Sequence, residues 1–559
     1  MTPLPRHPGG PNRRRFLLLA GGTVAVGTAG ALTLAAEAGH RAPAAGVGGG
    51  EPAGRGTTPS QAHSSGPPRA ADWAALASRL STAELVRPGN ARYGSARRLF
   101  DPKFDDRRPA GIAYCAKPDD VSACLDFARR FGVPIAARSG GHSYGGWSST
   151  RGLIIDVSKM SGVLIDRADR TARVGSGTLL IDLYASLAEA GLAVPGGSCP
   201  TVGVAGLALG GGVGVVGRLY GLTCDNIRAV QIVTAEGTVR ECSAAREPEL
   251  FWACRGGGGG SFGVVTAFTF GTHPAPELVL FFLRWPWSEA AAVLSAWQSW
   301  APFAPDQLWS NLHLAAEPGG VTPSITVGGT FAGDVGTAQA LLDRLYAAAG
   351  SDPASVFIRA EPYLSAMLVE AGCADLSLSQ CHLPSQHLAG ILGRPPEYAK
   401  SDFFTVALPL RGISTLLAAV ERMQRVAGAP GAAGGVALDA FGGAINRVDP
   451  AATAFVHRRA LFLVQYSTTW TPQPGATAGS GTPAVARQRA WLRTCHAAMR
   501  PFASGEAYQN YADPDLADWQ SAYYGANYPA LQRVKAGVDP ANVFRFPQSI
   551  GLPTRSERT

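Results

Sequence analysis

The stretch RSGGHSYGG, residues 138–146, puts four glycines and a histidine into nine positions. A loop this rich in glycine lets backbone N–H groups approach an anion or a flat ring closely, and such loops rarely need an imidazole for the task. His142 is therefore the residue to explain. Upstream, AGIAYCAK reads as a strand and DDVSACLDFARRFG as a helix capped by Asp119 or Asp120 and stopped by Gly132; VPIAARSGG is a second strand that runs into the loop. That is a βαβ unit. Before it, WAALASRLSTAELVRPG has the apolar spacing of a helix, and after it GLIIDVSKM, TARVGSG, LIDLYASLAEAG and LAVPGGSC continue the strand and helix alternation.

Two more glycine runs follow, PTVGVAGLALGGGVGVVGRLYG (200–221) and RGGGGGSFGVV (255–265). Neither is a G-x-G-x-x-G at a first βα turn with an acidic residue some twenty positions on, so the dinucleotide fingerprint is not met, and no P-loop is present. Beyond Pro274 the texture changes. Strands such as LVLFFLRW and ALFLVQYSTTW alternate with helices such as TLLAAVERMQRVAG, which predicts an antiparallel sheet carrying helices on one side. The expected organisation is a first folded region over 71–274, a second over 275–500, and a Tyr- and Asn-rich C-terminal segment over 501–559 that folds back to complete a site.

At 559 residues, 46% hydrophobic and 16% charged, the chain has the composition of a multidomain globular protein. Part of its +8 net charge lies in the first 38 residues, and no Lys/Arg run with interleaved aromatics follows, so no nucleic-acid partner is expected. Residues 1–38 run from NRRRFLL through a Gly/Ala-rich apolar stretch to AEA, the order of a cleavable export signal of twin-arginine type. Secretion without lasting membrane association is the expectation, a retained anchor the alternative. Residues 39–70 read as a disordered linker and 472–484 as a polar surface loop. Of nine cysteines, Cys373 and Cys381 are close enough to close a small disulfide loop, while Cys115 and Cys124 sit in apolar surroundings as buried thiols.

RSGGHSYGG, GGSCPTVGVAGLALGGGVG, RGGGGGSFGVVT and the C-terminal NYADPDL…AYYGANYPALQRVK…DPANVF…QSI together resemble, in order and spacing, the berberine-bridge-enzyme-like FAD-linked oxidases. These belong to the vanillyl-alcohol-oxidase, or PCMH-type, flavin fold. The resemblance covers roughly residues 70–559 and points to the branch with doubly attached flavin, which includes oligosaccharide oxidases and aclacinomycin oxidoreductase. It implies an α+β protein: a two-part PCMH-type FAD-binding domain, 71–274 with 501–559, around a substrate domain whose antiparallel sheet is covered by helices. By the match, His142 would bond the flavin 8α carbon and Cys199 its C6. Two such bonds would raise the flavin's potential and fix its ring. Ser139, Gly140, Gly141 and Ser143 would offer N–H groups to the pyrophosphate. Gly203, Gly206, Gly210 and Gly212 would let the chain lie along the ring, Val265 would flank the adenine side, and Asn510 would lie near the ring. Ser261 stands where many relatives have Asn.

On the substrate side, Tyr511 matches the family's base, and Gln465 stands where the alkaloid-cyclising members place a glutamate. An amide cannot abstract a proton, which points to the alcohol-oxidising branch with Gln465 as an orienting group. A tyrosine near its free pKa of about 10 is a poor base at neutral pH, so its surroundings must stabilise the phenolate. Tyr144 matches a pocket tyrosine near the base, and Tyr466 and Asn510 are candidates to stabilise that phenolate. Val202 matches the position thought to gate oxygen, where a small residue favours O2. His457 and Arg458 read as structural, the arginine paired with a carboxylate. The implied function is oxidation of an alcohol, either a sugar C1 hydroxyl or a secondary alcohol of a glycosylated natural product, with O2 reduced to H2O2 and no metal. The alternatives are a dehydrogenase using a quinone or protein acceptor, and a flavin-carrying binding protein without turnover.

Overall fold

The computed structural model describes residues 66–554 apart from 318–319, 321, 427–431 and 472–480. The expected export signal, nearly all of the expected linker and most of the polar patch lie outside the described residues.

Helix α1 (Ala70–Arg79) buries Trp73 and Leu76. It ends ten residues before the helical spacing does, because the backbone N–H and hydroxyl of Ser81 both donate to the Asp120 carboxylate, at 2.7 and 2.6 Å, and turn the chain. Strand β1 (Leu85–Val86) then pairs with β2 (Gly111–Tyr114). Helix α2 (Pro118–Phe131) has Lys117 as its N-cap rather than Asp119 or Asp120. Pro118 occupies the first turn, Asp120 reaches back to the Lys117 N–H, and Gly132 closes the helix at φ 63°. Strands β3 (Ile135–Arg138) and β4 (Leu153–Asp156) complete a sheet of order β1-β2-β4-β3. β2, β4 and β3 run parallel, so the βαβ crossover leaves a gap that the fully buried β4 fills.

A second sheet, order β5-β6-β9-β7-β8, is antiparallel: β5 (Val163–Asp166), β6 (Thr171–Gly175), β7 (Ile227–Val233), β8 (Val239–Ser243) and β9 (Val264–Gly271). Helices α3 (Leu180–Glu189) and α4 (Val204–Leu209) lie between β6 and β7 in the chain. The third sheet has seven strands, all antiparallel: β10 (Leu278–Trp285), β11 (Leu308–Ala316), β12 (Ser324–Ala332), β13 (Ser355–Glu361), β14 (Glu397–Phe404), β15 (Ala432–Ala440) and β16 (Phe462–Trp470), in the order β13-β10-β12-β11-β15-β16-β14.

Side-chain alternation splits this third sheet into two faces. Phe281, Leu312, Val327, Leu438, Val464 and Tyr466 pack into one core with α5 (Ala290–Trp300), α6 (Val335–Ala349), α8 (Leu410–Val426) and α9 (Pro483–Met499). Leu280, Phe282, Trp309, Phe403 and Leu463 face the other way, into a core shared with α4, β9 and the C-terminal residues Tyr508 and Tyr523. Helix α7 (Tyr363–Glu370) is the exception to the expected one-sided helical cover, since Tyr363, Ala366 and Met367 join that second core and the helix packs on α3. Its last residue thereby reaches the space between the sheets.

The C-terminal segment is tied back by buried polar contacts. In α10 (Tyr528–Val538) the fully buried Lys535 ammonium pairs with Asp539 and donates to the carbonyls of Ser261 and Phe544, while the Ser261 hydroxyl accepts from Ile550 N–H. Ser261 thus secures the joint between the third glycine run and the C-terminus. The described fold is α+β, and Cys373 and Cys381 form the expected disulfide.

Candidate functional site

A cavity of about 510 Å³ runs between the glycine loops and the third sheet. The loop after β3 is held at both ends by arginine. Arg138 pairs with Asp156, and Arg107 donates to the carbonyls of Gly145, Gly146 and Ser149. Between them Gly141 sits at φ 75°, which favours glycine, and a side chain at Gly140 would come within 2.3 Å of the Gly203 backbone nitrogen. The two loops therefore meet backbone to backbone. Among the described residues, the N–H groups of Ser139 through Ser143 have no protein acceptor, and the buried Nη1 of Arg138 has none. A run of unspent N–H groups beside a guanidinium is an anion nest, which fits a pyrophosphate. A Cβ at Gly206 would meet nothing within 4 Å, so the wall opens there to a ligand. These residues fit FAD.

His142 stacks on Phe100 with ring centroids 3.9 Å apart, and its Nε2 lies 2.9 Å from the Thr201 hydroxyl. The Cys199 thiol is 3.9 Å from the same hydroxyl. Thr201 so joins the histidine of one loop to the cysteine of the other. Burial lowers His142 to about 3, so the ring is neutral. Six of the seven free cysteines are fully buried; Cys199 is half-buried, and it lines the cavity.

Opposite lies an aromatic and acidic wall. Tyr144 and Tyr511 stack at 5.4 Å, and Tyr508 meets Tyr511 edge-on at 5.0 Å. Gln465, on β16, donates to the Tyr144 hydroxyl at 3.0 Å. Burial raises Tyr511 well above its usual value, and Asp439, Tyr508 and Glu397 raise it further; burial, Glu397 and Tyr511 do the same to Tyr144. Three carboxyls line this wall: Glu370 at the end of α7, Glu397 at the start of β14 and Asp439 on β15. Burial pushes Glu370 up to about 8, with Asp439 adding to it, and pushes Glu397 and Asp439 up to about 7.

A family profile described as FAD binding domain matches residues 109–243, and one described as berberine and berberine like matches 507–551. An uncharacterized FAD-linked oxidoreductase of Bacillus subtilis is 32% identical over 483 residues, covering 85% of this chain and 98% of the relative. The chain belongs to the berberine-bridge-enzyme-like FAD-linked oxidoreductases. Among solved structures of this family, BBE-like 1 from Physcomitrella patens matches with a TM-score of 0.75 at 30% identity, over 84% of this chain and 97% of that one. A chitooligosaccharide oxidase matches with a TM-score of 0.73 at 26% identity, over 86% and 100%.

In this berberine-bridge-enzyme-like chain, Ser139, Gly140, Gly141, His142, Ser143, Tyr144, Cys199, Val202, Gly203, Gly206, Val265, Asn510 and Tyr511 all line the one cavity. Gly210 and Gly212 do not. They pack behind it, where added side chains would strike Asn510 and Thr223 at 2.0 and 2.2 Å. Asn510 does not serve the base, since its amide N–H groups are taken by the Leu207 carbonyl and the Tyr508 hydroxyl. Tyr466 faces the helices on the far side of the sheet. Gln465 reaches the cavity through its hydrogen bond to Tyr144. Arg458 makes the expected pair, with Asp225, and His457 bonds Glu506 and a backbone carbonyl.

The acidic wall is absent from the motifs, and it has a cost in stability. A carboxyl whose value is raised by folding binds its proton more tightly in the folded state, so stability falls as pH climbs from the unfolded value near 4 toward the folded one. Glu370→Gln is expected to stabilise the protein by roughly 1–3 kcal/mol above pH 8, with no gain near pH 4, the scale of relieving an unpaired buried polar group. Thermal melts of wild type and variant across that range check it. A gain independent of pH would mean the carboxyl is not the cause.

Proposed function

We propose that this protein is an exported oxidase, carried by the twin-arginine route, that holds FAD through both His142 and Cys199. It oxidises an alcohol, either a sugar C1 hydroxyl or a secondary alcohol of a glycosylated natural product, and returns the electrons to O2 as H2O2. The observation that carries this reading is the convergence of His142 and Cys199 on Thr201 in a cavity that also holds the Tyr144–Tyr511 pair. Bound FAD supplies the acceptor for hydride and the electron donor for oxygen.

The chain's own residues divide the remaining work. The N–H groups of Ser139 through Ser143 and the free Arg138 nitrogen bind the pyrophosphate, and Gly203 and Gly206 keep the loop close to the ring. Tyr511 takes the proton from the substrate hydroxyl. Tyr144, fixed by Gln465, lies flat against it and holds it in place. Val202 leaves room for O2 on the cavity wall. The similarity to a chitooligosaccharide oxidase supports a carbohydrate alcohol as substrate.

The experiment is anaerobic mixing of purified holoprotein with mono- and oligosaccharides and glycosylated polyketides, followed by exposure to air. Bleaching of the flavin, then recovery with one H2O2 per turnover, is the expected result. Bleaching that only a quinone or protein acceptor reverses would make it a dehydrogenase. No bleaching by any alcohol would leave a flavin-carrying binding protein.

A further inference from the structure

Every other buried carboxylate in the described chain is answered. Asp156 pairs with Arg138, Asp402 with Arg500, Asp513 with Lys400 and Asp539 with Lys535; Asp101 has Lys103, and Asp120 accepts from Ser81 and two backbone N–H groups. Glu397 has the Lys103 ammonium beside it. Glu370 is as buried as these, at 2% exposure, yet its Oε1 has no partner within the described residues. Asp439 is likewise unmet, and its open side is the cavity. Carboxyls gathered without counter-charge in a buried wall are costly to ionise, and a ligand that supplies the missing charge removes that cost.

A second set of atoms points the same way. Asn311 stands directly across from Asp439 in the β11–β15 register, and its Oδ1 is buried without a donor. Glu370 Oε1, on the cavity wall, is also buried and unpartnered. The basic side chains of the wall are engaged or remote. Arg107 is bound to three carbonyls and Arg138 to Asp156, and Arg545 is exposed in the C-terminal segment. The Lys103 ammonium is held by Asp101 and the Glu397 backbone oxygen. No three His, Cys, Asp or Glu side chains among the described residues converge tightly enough to hold a metal ion.

We propose that the substrate is an amino alcohol whose protonated amine seats in a recess formed by Glu370, Asp439 and the Asn311 amide oxygen, as in an amino sugar or an amino-sugar-bearing glycoside. The proposal rests on the alcohol-oxidase reading above and narrows it. An ammonium beside Glu370 and Asp439 favours their ionised forms, which like the amide oxygen accept only, so its donors are matched. An ammonium brings three N–H donors and a charge, whereas a neutral hydroxyl leaves the carboxyls without a counter-charge. The same charge would offset the acidic neighbours that hold the Tyr511 proton on, so binding the correct substrate prepares its own base.

The test uses holoprotein and two matched series, glucose, glucosamine and N-acetylglucosamine, and their β-1,4-linked disaccharides. Each series varies the charge at one carbon. Calorimetry and the perturbation of flavin absorbance under anaerobic conditions read binding, independently of turnover. In at least one series the free amine should bind roughly ten- to a hundredfold tighter than both neutral partners, the scale of a charge-assisted hydrogen bond. Asp439→Asn and Glu370→Gln should each reduce that preference about tenfold. The proposal is overturned if the amines bind no better than the neutral sugars, if nothing binds, or if the preference survives both variants. Preferential binding of amines without bleaching would sink the oxidase reading and leave this inference standing; bleaching by neutral sugars without amine preference would do the reverse.

Discussion

Precipitated with acid, the holoprotein is expected to carry its yellow colour into the pellet, while the double variant His142→Ala, Cys199→Ala leaves that colour in the supernatant. Each single variant should keep most of its flavin in the pellet, because the two attachment residues come from separate loops and either suffices. Burial holds His142 neutral, so one ring nitrogen keeps a free lone pair at any physiological pH. Burial also pushes the Cys199 thiol up, while the Thr201 hydroxyl and the Thr201 and Val202 backbone N–H groups draw it part of the way back. Of the two, the imidazole is the readier nucleophile, so Cys199→Ala should retain a full complement of flavin and His142→Ala somewhat less. Intact mass distinguishes the cases, since each covalently loaded chain is heavier by one FAD. Removing either bond should also lower the flavin midpoint potential. A wild-type protein whose colour stays entirely in the acid supernatant would refute covalent attachment outright.

The glycine loops were legible because their chemistry is local. A run of N–H donors that ends at a histidine needs glycine at 140 and 141, one for close approach to Gly203 and one for its left-handed backbone, and both needs are written in consecutive letters. The error at Gly210 and Gly212 has the same root. Glycine marks close approach without saying to what, and at these two positions the neighbours are Asn510 and Thr223 rather than a ligand. The overlong first helix failed for a different reason, since the residue that ends it, Asp120, lies 39 positions away from Ser81.

The acidic wall was hidden because it is assembled from three distant elements. Glu370 ends a short helix, Glu397 opens a strand, and Asp439 sits inside VALDA, each unremarked by any motif. One signal was available. Val436, Leu438 and Ala440 alternate into the core beneath the helices, so Asp439 must point to the opposite face of a central strand, where an unpaired carboxylate is rarely placed without purpose. Which partners stand beside it depends on the order β11-β15-β16-β14, and no local pattern states that order. Gln465, by contrast, was found from the family resemblance, and only the structure shows that its donor is aimed at Tyr144.

Replacing Tyr511 by Phe should leave the flavin bound and slow its anaerobic reduction by roughly two to four orders of magnitude, the usual consequence of losing an acid–base group. The ring stacking with Tyr144 and the edge contact with Tyr508 need no hydroxyl, so the cavity should keep its shape and substrate affinity should change little. The pH profile separates this role from simple packing. A base must be deprotonated to act, and Tyr511 is held above its ordinary value by burial and by Asp439, Tyr508 and Glu397. In wild type, reduction by a neutral alcohol should therefore rise steadily with pH through the neutral range and show no plateau below about pH 10, the unperturbed phenol value. In Tyr511→Phe the slope should vanish. Asp439→Asn removes one of the charges that oppose the phenolate, so with a neutral substrate it should shift the rising limb toward lower pH. A Tyr511→Phe protein that reduces its flavin at the wild-type rate would take the tyrosine out of the reaction.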